Sequence, residues 1–147
     1  MSPESERLVR ESWARLAPPK RDELVAAFYS RLFEANPELS RLFAHVNMVE
    51  QRKKFATMMN EIVRVIDAPE LLVSEIASSG RRHVTYGVHD RDYEDVGAAL
   101  LWAFAYVLGD EFTPEIQSAW RDAYALLSAV MRRAAARQSG ELPVSTS

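Results

Sequence analysis

The 147-residue chain contains no cysteine, which excludes disulfide bonds, thiol catalysis and zinc–thiolate sites together. Glycine and proline are scarce, with five and seven residues, and the prolines fall between stretches of regular apolar spacing. No apolar run approaches the roughly 20 residues that a membrane-spanning helix requires. The net charge of −3 is not the cationic excess that nucleic-acid binding needs. These absences favour a soluble, mainly helical protein with no membrane or nucleic-acid partner.

The beginning of the chain, Met1-Ser2-Pro3-Glu4, has neither the basic nor the apolar region of a signal peptide. We therefore expect a cytoplasmic protein, and the lack of cysteine is compatible with a reducing compartment. The length suits one domain with a full hydrophobic core. We predict that this domain covers residues 1–138 and that residues 139–147 form a disordered C-terminal tail.

Apolar residues recur at helical spacing along nearly the whole chain, and no stretch shows the alternation of a strand. Ser2 is placed to cap the first helix with Pro3 at its first position, and Pro18-Pro19 is expected to end that helix. Gly109 is expected to end the penultimate helix, and Thr113-Pro114-Glu115 to begin the last one. The pattern predicts an all-α protein of six to eight helices. Apolar spacing alone does not determine the angles at which the helices cross, because a simple helical bundle would show a similar sequence pattern.

Four groups of residues between about Leu8 and Met131 carry a resemblance to a known family. They are Phe28-Tyr29-Ser30-Arg31-Leu32-Phe33 with Asn36-Pro37-Glu38-Leu39 and Leu42-Phe43; Gln51 with Phe55 one turn later; Gly80-Arg81-Arg82-His83 through Val88; and Leu108-Gly109 with Phe112-Thr113-Pro114, Trp120 and Tyr124. In this order and at these separations they resemble globins, especially bacterial single-domain haemoglobins, the haem domains of flavohaemoglobins, and neuroglobins. No glycine-rich phosphate loop, nucleophile elbow or zinc-binding helix motif competes with this interpretation.

The resemblance implies a globin fold, a three-over-three sandwich of helices around haem b, with His83 as the one protein ligand of the iron. A neutral imidazole suits this role because it leaves the opposite axial position open to a diatomic ligand. Taken alone, a histidine in a helical chain is more often a surface or core residue. The other residues that the resemblance assigns to the cofactor are Phe43, Phe55, Val88, Tyr93, Val96, Leu100, Arg82 and Lys54. Of these, Arg82 and Lys54, together with Lys53, are expected near the propionates, with a solvated charge as the alternative.

Tyr29 and Gln51 match the polar pair that globins of this type place on the ligand side. A phenol and an amide can both donate a hydrogen bond to bound dioxygen, which is worth about 1.5–3 kcal/mol in an apolar pocket. The alternative for Tyr29 is a core tyrosine whose hydroxyl points outward. His45, in the link after Phe43, is either exposed or, if the link folds inward, a second ligand of the iron.

One position departs from the resemblance. Flavohaemoglobins have a glutamate in the last helix that completes the network behind the proximal histidine, and the register of that helix places Ala135 there. We therefore expect weaker electron donation from the proximal side.

We interpret the chain as a globin that binds dioxygen for storage, transport or scavenging. The enzymatic alternative is a nitric oxide dioxygenase, acting in nitric oxide detoxification with a separate reductase, and a haem-based gas sensor is a third alternative.

Overall fold

The computed structural model describes residues 1–68, 70–75 and 91–146, with side chains described as far as residue 133. The helices are α1 (Pro3–Ala14), α2 (Pro18–Ala35), α3 (Pro37–Leu42), α4 (Met48–Arg64), α5 (Asp92–Leu108) and α6 (Pro114–Thr146). A 3-10 turn, Gly109–Glu111, joins α5 to α6, and residues 70–75 are also helical. No strand occurs in the described ranges. The predicted all-α architecture is confirmed, whereas the boundary at residue 138 stays a prediction.

Short-range signals account for where the helices begin. Four of them begin with proline, which costs no hydrogen bond at this position because the first N–H groups of a helix have no partner within it. The Ser2 side chain accepts a hydrogen bond from the Ser5 amide at 3.1 Å, as predicted. The Asn47 side chain accepts from Val49 and Glu50 and so fixes the first turn of α4.

One of the predicted helix boundaries needs correction. Pro18-Pro19 was expected to end the first helix, but α1 ends at Ala14 and Pro18 begins α2. The same residue type that cannot continue a helix is well suited to start one. The prediction that Gly109 ends the helix before it is confirmed, and its φ of 57° is one that glycine adopts without steric cost.

The helices pack in pairs around an aromatic core. Helix α2 lies along α5, α1 lies along α6, and α4 contacts both α1 and α2. Trp120 is fully buried between Trp13 and Phe104, with ring centroids 6.4 and 4.2 Å away. Its indole N–H donates to the hydroxyl of Ser12 at 2.8 Å, so the buried polar atoms of α1 and α6 satisfy each other.

The buried apolar side chains of the described residues form two clusters. The larger joins α1, α2, α4, α5 and α6 around Trp120, and the smaller includes Ile62, Leu72, Tyr93, Leu127 and Met131. Both clusters contribute side chains to one cavity, which is described below. In the described part of the chain, no helix is long and apolar enough to cross a membrane.

Candidate functional site

A cavity of about 640 Å³ opens between α2, α4, α5 and α6. Its inner walls are apolar, and its rim, along the outer side of α4, carries charged side chains. The lining residues are Phe28, Tyr29, Leu32, Leu39, Phe43, Glu50, Gln51, Lys53, Lys54, Phe55, Thr57, Met58, Met59, Glu61, Ile62, Glu75, Tyr93, Val96, Leu100, Tyr124, Leu127 and Met131.

The apolar walls of a cavity of this size lose their contact with water when an apolar molecule fills it, which contributes about 25 cal/mol per Å² of apolar surface covered. Protein interiors are close-packed and tolerate few voids larger than a water molecule. The cavity therefore has the properties of a binding site for a large, mostly apolar molecule.

Eight residues selected from the sequence meet at this cavity. They are Tyr29, Phe43, Gln51, Lys54, Phe55, Tyr93, Val96 and Leu100. Three others, Arg82, His83 and Val88, lie outside the described residues, so the iron ligand and two cofactor contacts stay predictions. His45 lies in an exposed turn and is not among the lining residues.

Tyr29 is held in place by a cage of phenylalanine rings. It is 6% exposed, and its ring lies 5.0 Å from Phe28, 5.7 Å from Phe33, 6.2 Å from Phe43 and 5.6 Å from Phe55, measured between centroids. Edge-to-face contacts of this kind stabilise a particular ring orientation as well as burying area. The cage therefore fixes the direction of the phenol, which borders the cavity.

The Gln51 amide donates a hydrogen bond from Nε2 to the Tyr29 hydroxyl oxygen at 3.1 Å. Burial raises the pKa of the Tyr29 phenol, and the Gln51 hydrogen bond partly opposes that rise. The phenol is therefore protonated at neutral pH. Among the described residues no acceptor for its proton lies within hydrogen-bond distance, so the O–H can donate to a molecule in the cavity.

Helix α4 brings Gln51 and Phe55 to the same wall because they are one turn apart. Phe55 stacks on Phe28 with centroids 4.7 Å apart and planes at 20°. This pair covers the side of the cavity next to Tyr29 with apolar surface, so a hydrogen bond from the phenol forms where water competes weakly.

The start of α5 is fixed by Asn36, at the junction of α2 and α3. Its Nδ2 donates to Asp92 at 2.9 Å and to Asp95 at 2.8 Å, while its Oδ1 accepts from the Leu39 amide. Asp92 is buried, so the amide helps to compensate its loss of water. This network positions the next residue, Tyr93, in the inner wall.

Tyr124 closes the inner wall from α6. Its hydroxyl donates to the backbone carbonyl of Tyr93, and its ring lies against Gly97 on α5. Burial raises the pKa of the Tyr124 phenol, with a further increase from Tyr93. Gly97 is needed here because a Cβ atom would lie only 2.6 Å from the ring.

The rim of the cavity is polar. Lys53 and Lys54 are exposed there, and the Lys53 ammonium lies 3.7 Å from Glu50. Such exposed pairs contribute little to stability. Either lysine is therefore available to an anionic group that protrudes from the cavity.

Sequence reasoning missed more than half of the lining residues as site residues. Leu32, Met59, Ile62, Leu127 and Met131 were recognisable only as apolar positions on helices, because periodicity separates inside from outside but not a core from a cavity wall.

Comparison with known proteins identifies the family. The globin family model matches residues 26–131. The chain belongs to the globin family. A flavohemoprotein from Rhizobium meliloti is 36% identical over 110 residues, which is 74% of this chain and 27% of that protein. The chain thus spans about a quarter of the length of that relative.

Two solved structures share this globin fold. One is an engineered carbene transferase, a candidate nitric oxide dioxygenase from Rhodothermus marinus, with a TM-score of 0.84, 27% identity and coverage of 100% of this chain and 99% of that chain. The other is a hexacoordinated haem protein from an anhydrobiotic tardigrade, with a TM-score of 0.81 and 16% identity over 92% of this chain and 95% of that chain. At that identity the second likeness concerns the fold alone.

Membership of the globin family implies a haem cofactor, and the described residues fit one. The cavity volume lies within the roughly 300–1,000 Å³ that is usual for cofactor and ligand sites. The walls are apolar, as a porphyrin face requires, and the charged rim suits carboxylate side chains at a porphyrin edge.

Proposed function

We propose that this globin binds haem b in the cavity, with His83 as the protein ligand of the iron, and binds dioxygen reversibly beside Tyr29 and Gln51. The observation that carries the proposal is the hydrogen-bonded Tyr29–Gln51 pair at the wall of a large apolar cavity. Haem, when bound there, would supply an iron that binds a diatomic ligand. A cytoplasmic location, expected from the sequence, stays a prediction.

The two polar residues have different tasks in this proposal. Gln51 donates to the Tyr29 oxygen, which orients the phenol and makes its proton more acidic. Tyr29 keeps its proton and donates a hydrogen bond from its O–H group to the ligand. A hydrogen bond to a partly negative oxygen is worth about 1.5–3 kcal/mol, which corresponds to roughly ten- to a hundredfold in affinity.

Position in the cavity supports several of the cofactor contacts that the resemblance implies. Phe43 is proposed to pack against the porphyrin face and Phe55 to limit access to the ligand side. Val96 and Leu100 are proposed to line its edge, and Lys54 to contact a propionate from the rim.

The test is the rate at which dioxygen leaves the haem-loaded protein. Replacing Tyr29→Phe retains the ring and its cage but removes the hydroxyl, so dissociation should become about ten times faster or more. Tyr106→Phe is the matched control, because Tyr106 is exposed and does not line the cavity. An unchanged rate in Tyr29→Phe would show that the phenol does not contact the ligand.

A second candidate function, nitric oxide dioxygenase, is supported by the 27% identical Rhodothermus marinus relative and by the same polar pair. In that reaction dioxygen, nitric oxide and one electron give nitrate, and we propose a separate reductase as the electron source. Nitric oxide consumption is measured with a generic reductase present. Sustained turnover beyond one equivalent per haem would favour the enzyme, and consumption that stops at one equivalent would favour dioxygen binding alone.

A further inference from the structure

A positive charge lies against the inner wall of the cavity. The guanidinium carbon of Arg132, on α6, is 5.2 Å from the ring centroid of Tyr93. A guanidinium over an aromatic ring is attracted to the negative face of that ring. Tyr93 is buried and lines the cavity, as does Met131, the residue before Arg132. Arg132 itself is half-buried and does not line the cavity, so its guanidinium lies beside the wall residue Tyr93 and outside the cavity.

This positive charge does not titrate, and it acts on residues of the inner wall. Arginine stays protonated under all conditions in which proteins fold. The pKa of the Tyr124 phenol, which burial raises, is lowered in part by Arg132, so the guanidinium reaches the second tyrosine of this wall as well. A partly buried charge is screened by water and salt less than an exposed one.

We propose that Arg132, held against Tyr93, raises the midpoint potential of haem bound in this cavity and so favours the reduced state that binds dioxygen. The inference rests on the proposed haem binding. Reduction by one electron lowers the net charge of the bound cofactor by one. A fixed cation near the inner wall therefore stabilises the reduced form more than the oxidised form.

The sign of this effect agrees with the weaker electron donation expected from Ala135, because less donation to the iron and a nearby cation both favour the reduced form. In flavohaemoglobins a glutamate from the last helix reaches the network behind the proximal histidine. This chain has Ala135 at the corresponding position and presents Arg132 one turn earlier on the same helix. Arg132 is thus a positioning residue, which changes the midpoint potential of the bound haem without contacting the ligand.

The experiment is a spectroelectrochemical titration of the full, haem-loaded chain. Arg132→Met removes the charge while keeping an unbranched side chain, Arg132→Lys keeps a positive charge, and Arg133→Met is the control because Arg133 is the exposed neighbour. We expect Arg132→Met to shift the equilibrium at least fivefold toward the oxidised form, or about 40 mV at 59 mV per tenfold for one electron. Arg132→Lys should retain most of the wild-type value, and Arg133→Met should match wild type within about twofold, or about 18 mV.

A potential of Arg132→Met equal to that of Arg133→Met, with normal haem uptake, would overturn the inference and leave the proposed function standing. Faster haem transfer to apomyoglobin with an unchanged potential would also overturn it, because Arg132 would then be a haem-anchoring residue. A wild-type chain that takes up no haem would overturn both proposals. If Arg132→Met folds poorly by circular dichroism, Arg132→Gln tests the same charge with the same expected shift.

Discussion

Replacing Gly97→Ala should force Tyr124 out of its place in the cavity wall. An added Cβ would lie 2.6 Å from Cε2, 2.8 Å from Cδ2 and 3.3 Å from Cζ of the ring, whereas ordinary contacts lie at 3.4–4 Å. The ring must therefore retreat, although its hydroxyl donates to the Tyr93 carbonyl.

The expected cost can be worked out from three contributions. Overpacking of a core costs about 1–3 kcal/mol. The displaced hydrogen bond adds about 1 kcal/mol. The higher helix propensity of alanine offsets about 1 kcal/mol of this loss, since Gly97 has no positive φ that would favour glycine. The net loss in the free energy of unfolding should be about 1–3 kcal/mol.

Urea denaturation of a double-mutant cycle isolates the clash. In a Tyr124→Leu background the ring is absent, so Gly97→Ala should become neutral or stabilise the protein by up to about 1 kcal/mol. Ala98→Gly, at an exposed position of α5, measures the helix-propensity contribution separately. A Gly97→Ala protein as stable as wild type, or strictly additive effects in the cycle, would refute the reasoning.

Two further predictions concern stability. Burial raises the pKa of both the Tyr29 and Tyr124 phenols. The contribution of these phenols to the free energy of unfolding is therefore complete below the pKa of about 10 in the unfolded chain, and it is lost as the pH rises through their higher pKa values in the folded protein. Urea midpoints from pH 8 to 11 should fall less steeply in Tyr29→Phe and Tyr124→Phe than in Tyr106→Phe, and identical slopes would contradict this. Ser12→Ala should cost about 1–3 kcal/mol because it leaves the buried Trp120 N–H without its acceptor. Ser5→Ala, which removes an exposed hydrogen bond between the same two helices, should cost much less in the same urea assay, and equal losses would count against the argument.

The fold was predictable where the signal was local. Ser2 and Gly109 act through the first or last turn of a single helix, so their residue types were sufficient. The end of α4 was less predictable. The apolar stripe continues to Ile66, but the helix ends at Arg64, and Val65 and Ile66 remain buried without being helical. Apolar periodicity indicates which residues are buried, and here the buried residues continue beyond the end of the helix.

The site was predictable only in part, because its contacts join distant segments. Spacing explains why Gln51 and Phe55 share a wall, and the family resemblance supplied Tyr29 as their partner. Nothing in the sequence indicated that Arg132 would contact Tyr93, or that the Tyr124 ring would pack against Gly97. These contacts depend on how α5 and α6 cross, which the apolar pattern of either helix leaves undetermined.

Haem binding in the cavity and reversible dioxygen binding are tested most directly by an absorption titration of the haem-free chain with haem, followed by reduction and exposure to dioxygen. We expect saturation at one haem per chain, a reduced spectrum typical of five-coordinate iron, and a change on adding dioxygen that reverses when it is removed. No saturable uptake would contradict haem binding in the cavity. A reduced spectrum that is already six-coordinate and does not respond to dioxygen would contradict an open ligand site beside Tyr29 and Gln51.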